Sequence, residues 1–139
     1  MYRARALALA RTAAICAPCS TSLCAAAIRA IEIAERSHDA RQRLHANSAR
    51  FREGMSSAGF NLIEGDHPII PVMIGDAALA AQVADALLEK GIYVIAFSYP
   101  VVPQGSARIR TQMSAAHSFD QIDQAIAAFT EVGKAFGLI

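Results

Sequence analysis

The stretch Ile69-Ile70-Pro71-Val72-Met73-Ile74-Gly75-Asp76-Ala77-Ala78-Leu79-Ala80-Ala81-Gln82-Val83-Ala84-Asp85-Ala86-Leu87-Leu88-Glu89-Lys90-Gly91 decides the fold. Its apolar opening is short and bounded by Pro68 and Gly75, which predicts a buried strand. Pro71 has no backbone donor, so that strand is expected at a sheet edge, or the proline at a strand start. Asp76 then stands where a side-chain oxygen can accept from the first free amides of a helix. Ala80, Val83, Ala84, Leu87 and Leu88 recur at helical spacing behind it, and Lys90 with Gly91 supplies a cation for the helix dipole and a C-terminal stop.

Downstream, residues 92–97 are β-branched and aromatic enough for a second strand, and Pro100 and Pro103 stiffen the loop that follows. From residue 107 to 113 the alternation is clear. Ala107, Ile109 and Met113 are expected to face one way and Arg108, Arg110 and Gln112 the other, giving a strand with one core face and one polar face. Ser118-Phe119-Asp120-Gln121 has capping-box form, and Ile122, Ala125, Ile126, Phe129 and Phe136 follow at helical spacing. Upstream, Ile28, Ile31 and Ala34 mark one helical face running toward Ser37, a candidate N-cap. A longer helix carries Leu44, Ser48, Phe51 and Met55 and is expected to end at Gly59 in a left-handed cap. This order predicts an α+β domain, a small mixed or antiparallel sheet with helices packed on one face and the other face available.

A chain of 139 residues is one domain on length, and 54% hydrophobic with 18% charged residues is too apolar for disorder. The 30 alanines add helix propensity but little burial, so the core must come from Ile, Leu, Val, Phe and Met. A net charge of +1 argues against a general nucleic-acid binder, which needs a concentrated basic face; Arg41, Arg43, Arg50 and Arg52 read as the solvated face of a helix. That sum hides an asymmetry: residues 1–31 hold Arg3, Arg5, Arg11 and Arg29 with no acid, while residues 32–139 hold nine basic and twelve acidic groups. Cys16, Cys19 and Cys24 also lie in the first stretch, leaving a thiol-free body suited to a reducing, cytoplasmic compartment. Residues 1–24 are therefore set apart as an Arg/Ala/Ser/Cys-rich leader, of mitochondrial type or otherwise, or an out-of-frame segment; residues 25–139 form the domain. Cys16-x-x-Cys19 has a redox or zinc form but no second pair, and Pro18 with the neighbouring hydroxyls speaks against a membrane span. His38, His45 and His67 have no ligand-spaced partners, so no metal site is expected.

The run Gly91-Ile92-Tyr93-Val94 through Tyr99-Pro100-Val101-Val102-Pro103-Gln104-Gly105-Ser106-Ala107-Arg108-Ile109-Arg110-Thr111-Gln112-Met113-Ser114-Ala115-Ala116-His117 closely resembles the glycine C-acetyltransferases, also called 2-amino-3-ketobutyrate coenzyme A ligases. Asp66-His67-Pro68 through Gly75-Asp76 resembles the same family's small domain, and Gln104 departs from it where a lysine is usual. These are α-oxoamine synthases, pyridoxal-phosphate enzymes of the aspartate-aminotransferase fold type. The resemblance implies a C-terminal small domain, glycine and CoA substrates, threonine catabolism and a homodimer. It places the substrate-carboxylate arginine on Arg110. A glycine carboxylate needs a planar, permanently charged, bidentate donor, which an arginine provides.

The resemblance also implies what these residues do not carry. The family holds its cofactor through a lysine aldimine, an aspartate on the pyridine nitrogen and a stacked histidine, all in a preceding large domain. The chain has two lysines, Lys90 and Lys134, both read as solvated helix charges and neither in a Schiff-base context. No cofactor-binding or catalytic residue is expected, and the chain alone is expected to be inactive and to bind no pyridoxal phosphate. His117, directly before Ser118, reads as a packed or capping residue rather than a general base. Tyr99 and the two-proline loop are expected to border the site. The competing class is a non-catalytic α+β binding or dimerisation module, in which apolar groups such as Ile28 and Ile31 would have been replaced by polar ones.

Overall fold

The computed structural model describes residues 21–139, so the Cys16–Cys19 pair and most of the leading segment lie outside the described residues. The chain divides into two units, Met1–His38 and Asp39–Ile139. In the first, α1 spans Thr21–Arg36 and buries none of its residues. Leu23, Ile28, Ile31 and Ile33 are all exposed along it. The Ser37 hydroxyl donates to the Ile33 carbonyl at 2.6 Å, closing the end of that helix.

The second unit is built on three strands: β1, Ile69–Gly75; β2, Ile95–Phe97; and β3, Ala107–Gln112. The sheet order is β1-β3-β2, and β3 runs antiparallel to both neighbours. β1 and β2 therefore point the same way, joined through helix α3 (Ala77–Glu89) with β3 inserted between them. A crossover between same-sense strands must travel over one face, which is why the helices gather on one side. α2 (His38–Ala58) and α4 (Phe119–Ala135) complete that layer.

Local chemistry sets each helix end. The Asp76 carboxylate accepts from the Leu79 amide at 2.8 Å and starts α3. Ser118 and Gln121 form a reciprocal capping box, with Ser118 N donating to Gln121 Oε1 at 2.9 Å and Gln121 N to Ser118 Oγ at 3.2 Å. At the end of α2, Gly59 takes a φ of +101° and Phe60 N donates back to the Met55 carbonyl at 3.1 Å. A side chain at residue 59 would strain that left-handed turn.

The core lies between the helices and one sheet face. Ile70 and Val72 of β1 and Ala107, Ile109 and Thr111 of β3 are buried there, opposite Val83 and Leu87 of α3 and Ile122, Phe129 and Val132 of α4. Phe51, Phe60 and Phe129 interlock edge to face, with centroids 6.0 Å apart in both pairs. Thr111 takes the inward position that Met113 was expected to share; its hydroxyl donates to the Ile70 carbonyl at 2.7 Å, so a polar residue is buried without an orphaned group. Met113 lies beyond the strand, half-buried, its amide on the Pro68 carbonyl. The second strand is also shorter than residues 92–97 suggested, because Ile92 N is drawn back to the Leu87 carbonyl at the end of α3 and pairing begins only at Ile95. Leu88, expected on the apolar stripe of α3, is 55% exposed.

Pro71 is tolerated because β1 is an edge strand. Its carbonyl accepts from Ile63 N, and Met73 N donates to the Asn61 carbonyl, so the missing donor would have pointed away from β3 toward residues 61–63. Arg52 of α2 holds the same segment, reaching the Ile63 carbonyl at 2.9 Å and the His67 carbonyl at 3.0 Å.

Two measurements check this packing. Phe129→Ala removes the ring shared by both aromatic contacts and is expected to cost about 3–5 kcal/mol in urea unfolding followed by circular dichroism. Arg50 of α2 makes two bonds to Asp123 of α4, at 2.7 and 2.6 Å, and the Arg50 hydrogen bond lowers the Asp123 carboxyl below its ordinary value of 3.8. A depressed carboxyl stabilises the fold above the unfolded value and stops doing so as pH falls through the folded one. The difference in unfolding midpoint between the chain and Asp123→Asn should therefore hold steady through neutral pH and close as pH drops below about 4.

Candidate functional site

The sheet face away from the helices carries Arg108, Arg110 and Gln112. Register fixes their neighbours: Arg110 lies between Pro71 of β1 and Ile95 of β2, and Arg108 between Met73 and Phe97. The Arg110 guanidinium is thus exposed on a small apolar floor. Its Nη2 donates to Gln112 Oε1 at 3.2 Å, and its central carbon stands 5.9 Å from the centre of the Phe97 ring. Among the described residues, no carboxylate lies within ion-pair distance of it. Arg108 is turned back instead, with Nε on the Ser106 carbonyl at 3.3 Å. A fork with unused donors, held by a regular strand, can receive a planar carboxylate through two parallel bonds.

Directly after β3, the turn from Ser114 to His117 is held by Asn47 of α2. The buried Asn47 amide donates to the carbonyls of Ser114 at 2.8 Å and His117 at 2.9 Å. Neither partner is near Asn47 in sequence, so no periodicity or motif pointed to it. The His117 ring is exposed rather than packed, and accepts from Ser114 N through Nδ1 at 3.3 Å, while Ser118 and Gln121 cap the helix. His67 similarly accepts from Ile69 N at 3.0 Å. Among the described residues, no group of His, Cys, Asp and Glu could hold a metal ion. Tyr99 and Val101 stand well out into solvent on the loop before β3, where Val101 N and Val102 N both bond the Ser98 carbonyl.

A three-stranded antiparallel sheet with its helices on one face and arginines on the other is the small-domain architecture of pyridoxal-phosphate enzymes of the aspartate-aminotransferase fold. A sequence profile of the aminotransferase class I and II family matches residues 2–129, and the chain belongs to that family. It is 54% identical over 118 residues to the 2-amino-3-ketobutyrate coenzyme A ligase of Escherichia coli K12, covering 85% of this chain and 30% of that protein. It is 50% identical over 113 residues to the mitochondrial ligase of Mus musculus, covering 81% of this chain and 27% of that protein. Among solved structures, an SPT holding a PLP internal aldimine superposes with a TM-score of 0.81 at 33% identity, over 85% of this chain and 30% of that one. The chain is thus similar to glycine C-acetyltransferase over most of its length, while spanning only 30% of the length of the E. coli relative.

Among the described residues, the lysines do not fit a Schiff base with pyridoxal phosphate: Lys90 ends α3 and is paired with Glu131 at 2.7 Å, Lys134 is exposed on α4, and the cleft that includes Arg110 has neither a lysine nor an acid in its lining. Mixing the chain with pyridoxal phosphate should leave the visible spectrum free of a stoichiometric aldimine band. A band lost on Lys90→Ala or Lys134→Ala would contradict that assignment.

Asn47→Leu leaves two carbonyls without their donor and should cost about 1–3 kcal/mol. Amide exchange should accelerate first in residues 113–118, with the β1 and β3 amides still protected.

Proposed function

We propose that residues 25–139 act as the C-terminal small domain of a glycine C-acetyltransferase, which joins glycine to acetyl-CoA or cleaves 2-amino-3-oxobutanoate with CoA. Arg110 is the substrate-carboxylate arginine. The observation that carries this reading is its unneutralised fork at the centre of the helix-free sheet face, within a chain half-identical to the coenzyme A ligases. The residues do three things here. Arg110 orients a carboxylate so that the neighbouring Cα–H bond is presented in one direction, Gln112 and Phe97 limit where the guanidinium can swing, and Asn47 holds the turn that follows. Bond making at the α-carbon belongs to pyridoxal phosphate, held by a large domain of the homodimeric family enzyme.

The alternative, a free-standing binding or dimerisation module, predicts polar replacements on surfaces that once met a large domain. Ile28, Ile31 and Ile33 remain apolar and exposed at 47%, 40% and 53%, which favours the enzyme-derived reading. Compartment follows the relatives only loosely, since bacterial and mitochondrial proteins both match and no described helix is long and apolar enough to cross a membrane.

Joining residues 25–139 to a family large domain placed upstream tests the role of Arg110. Arg110→Ala removes a charge-assisted pair and should lower kcat/KM for glycine about ten- to a hundredfold, Arg110→Lys should restore part of it, and cofactor absorbance should survive both. Greater damage from Arg108→Ala than from Arg110→Ala would reassign the carboxylate.

A further inference from the structure

Beyond Arg110, β3 loses its neighbour. β2 pairs with it only through Ile95–Arg110, Ala96–Ile109 and Phe97–Arg108, so Thr111, Gln112 and Met113 have no strand beside them on that side. The gap opens as a cleft of about 670 Å³ between residues 91–97, the end of β3 and the first turns of α4. That size is within the roughly 300–1,000 Å³ of small-molecule sites. Val94, Met113 and Ala125 are half-buried in its apolar wall over Ile122 and Phe129 of the core, Arg110 and Gln112 stand in its lining toward the helix-free face, and Gln121 and Gln124 are exposed at its α4 side.

The cleft has one permanent positive charge and no acid in its lining. The other polar groups of the lining, among them His117, Gln121 and Gln124, are exposed and carry no permanent charge, so a multiply charged phosphate would meet one fixed cation, whereas a monocarboxylate is matched by Arg110 alone. The apolar depth has no use for a second polar group, since burying one without a partner is costly. We infer that this cleft binds an amphipathic monocarboxylate, an alkyl carboxylate of medium length, with its head on Arg110 and its tail along Val94, Met113 and Ala125. This rests on the reading of Arg110 as a carboxylate site and extends it to a tail that glycine does not have.

Titration of the isotope-labelled chain with butyrate, octanoate and octanol, followed by NMR, tests both halves. Octanoate should give saturable shifts at Arg110, at residues 111–113 and at residues 122–129. Each buried methylene is worth roughly three- to fourfold, so octanoate should bind at least about tenfold more tightly than butyrate, allowing for partial burial of the tail. Octanol should bind far more weakly than octanoate to the unsubstituted chain and equally to Arg110→Ala. Ala125 is half-buried in the cleft wall, so Ala125→Phe should remove the octanoate advantage and leave butyrate binding unchanged. The chain-length series in the unsubstituted chain stands without that variant. Equal binding of butyrate and octanoate, both dependent on Arg110, would overturn the tail site and leave the carboxylate reading in place. Carboxylate binding indifferent to Arg110→Ala would overturn both, as would shifts scattered outside the cleft.

Discussion

The register of β3 between its two neighbours governs the rest of the molecule. Ala107, Ile109 and Thr111 must meet the helices, and Arg108, Arg110 and Gln112 must then face away. A slip of one residue would turn two guanidiniums into a core of Phe51, Val83, Leu87 and Phe129, at a cost no small domain could sustain. The same alternation that protects the core therefore places Arg110 on the open face. Pro71 and Ile95 flank it without offering a charge, so its fork stays available for a ligand. Fold stability and the exposure of Arg110 rest here on one pattern.

Where structure depends on neighbours in sequence, the sequence reads well. Asp76, the Ser118–Gln121 box and Gly59 each act on backbone groups within a few residues, so residue type and spacing suffice to place the helix ends. The arginine face of β3 is equally legible, since period-two alternation is a local signal. The departures come from partners outside each element's own repeating pattern. Thr111 is buried because the Ile70 carbonyl, 41 residues away, receives its hydroxyl. The strand expected over residues 92–97 is shortened by the Leu87 carbonyl. Asn47 and Arg52 look like ordinary polar residues of an amphipathic helix, yet each holds the carbonyls of a neighbouring loop. The cleft was not legible at all, since it arises from where two strands part.

The comparison with whole enzymes gives these features a division of labour. The chain covers 30% of the E. coli relative, and within that portion lie the exposed Arg110 on the helix-free face and the Gln112 side chain it bonds. Both lysines are spent on helix surfaces. On the proposed reading, a small domain of this kind supplies recognition while the reactive group belongs to the rest of the enzyme. The exposed isoleucines of α1 agree with a surface shaped to meet further protein.

Interstrand proton contacts measured by NMR test the central claim most directly. The structure requires close approach of Arg110 to Ile95 and of Arg108 to Phe97, with Ile109 opposite Val72 on the other side. Those cross-peaks, found together, establish the register that sets Arg110 on the open face. Contacts displaced by one residue, pairing Arg110 with Ala96 or Pro71 with Ile109, would contradict it.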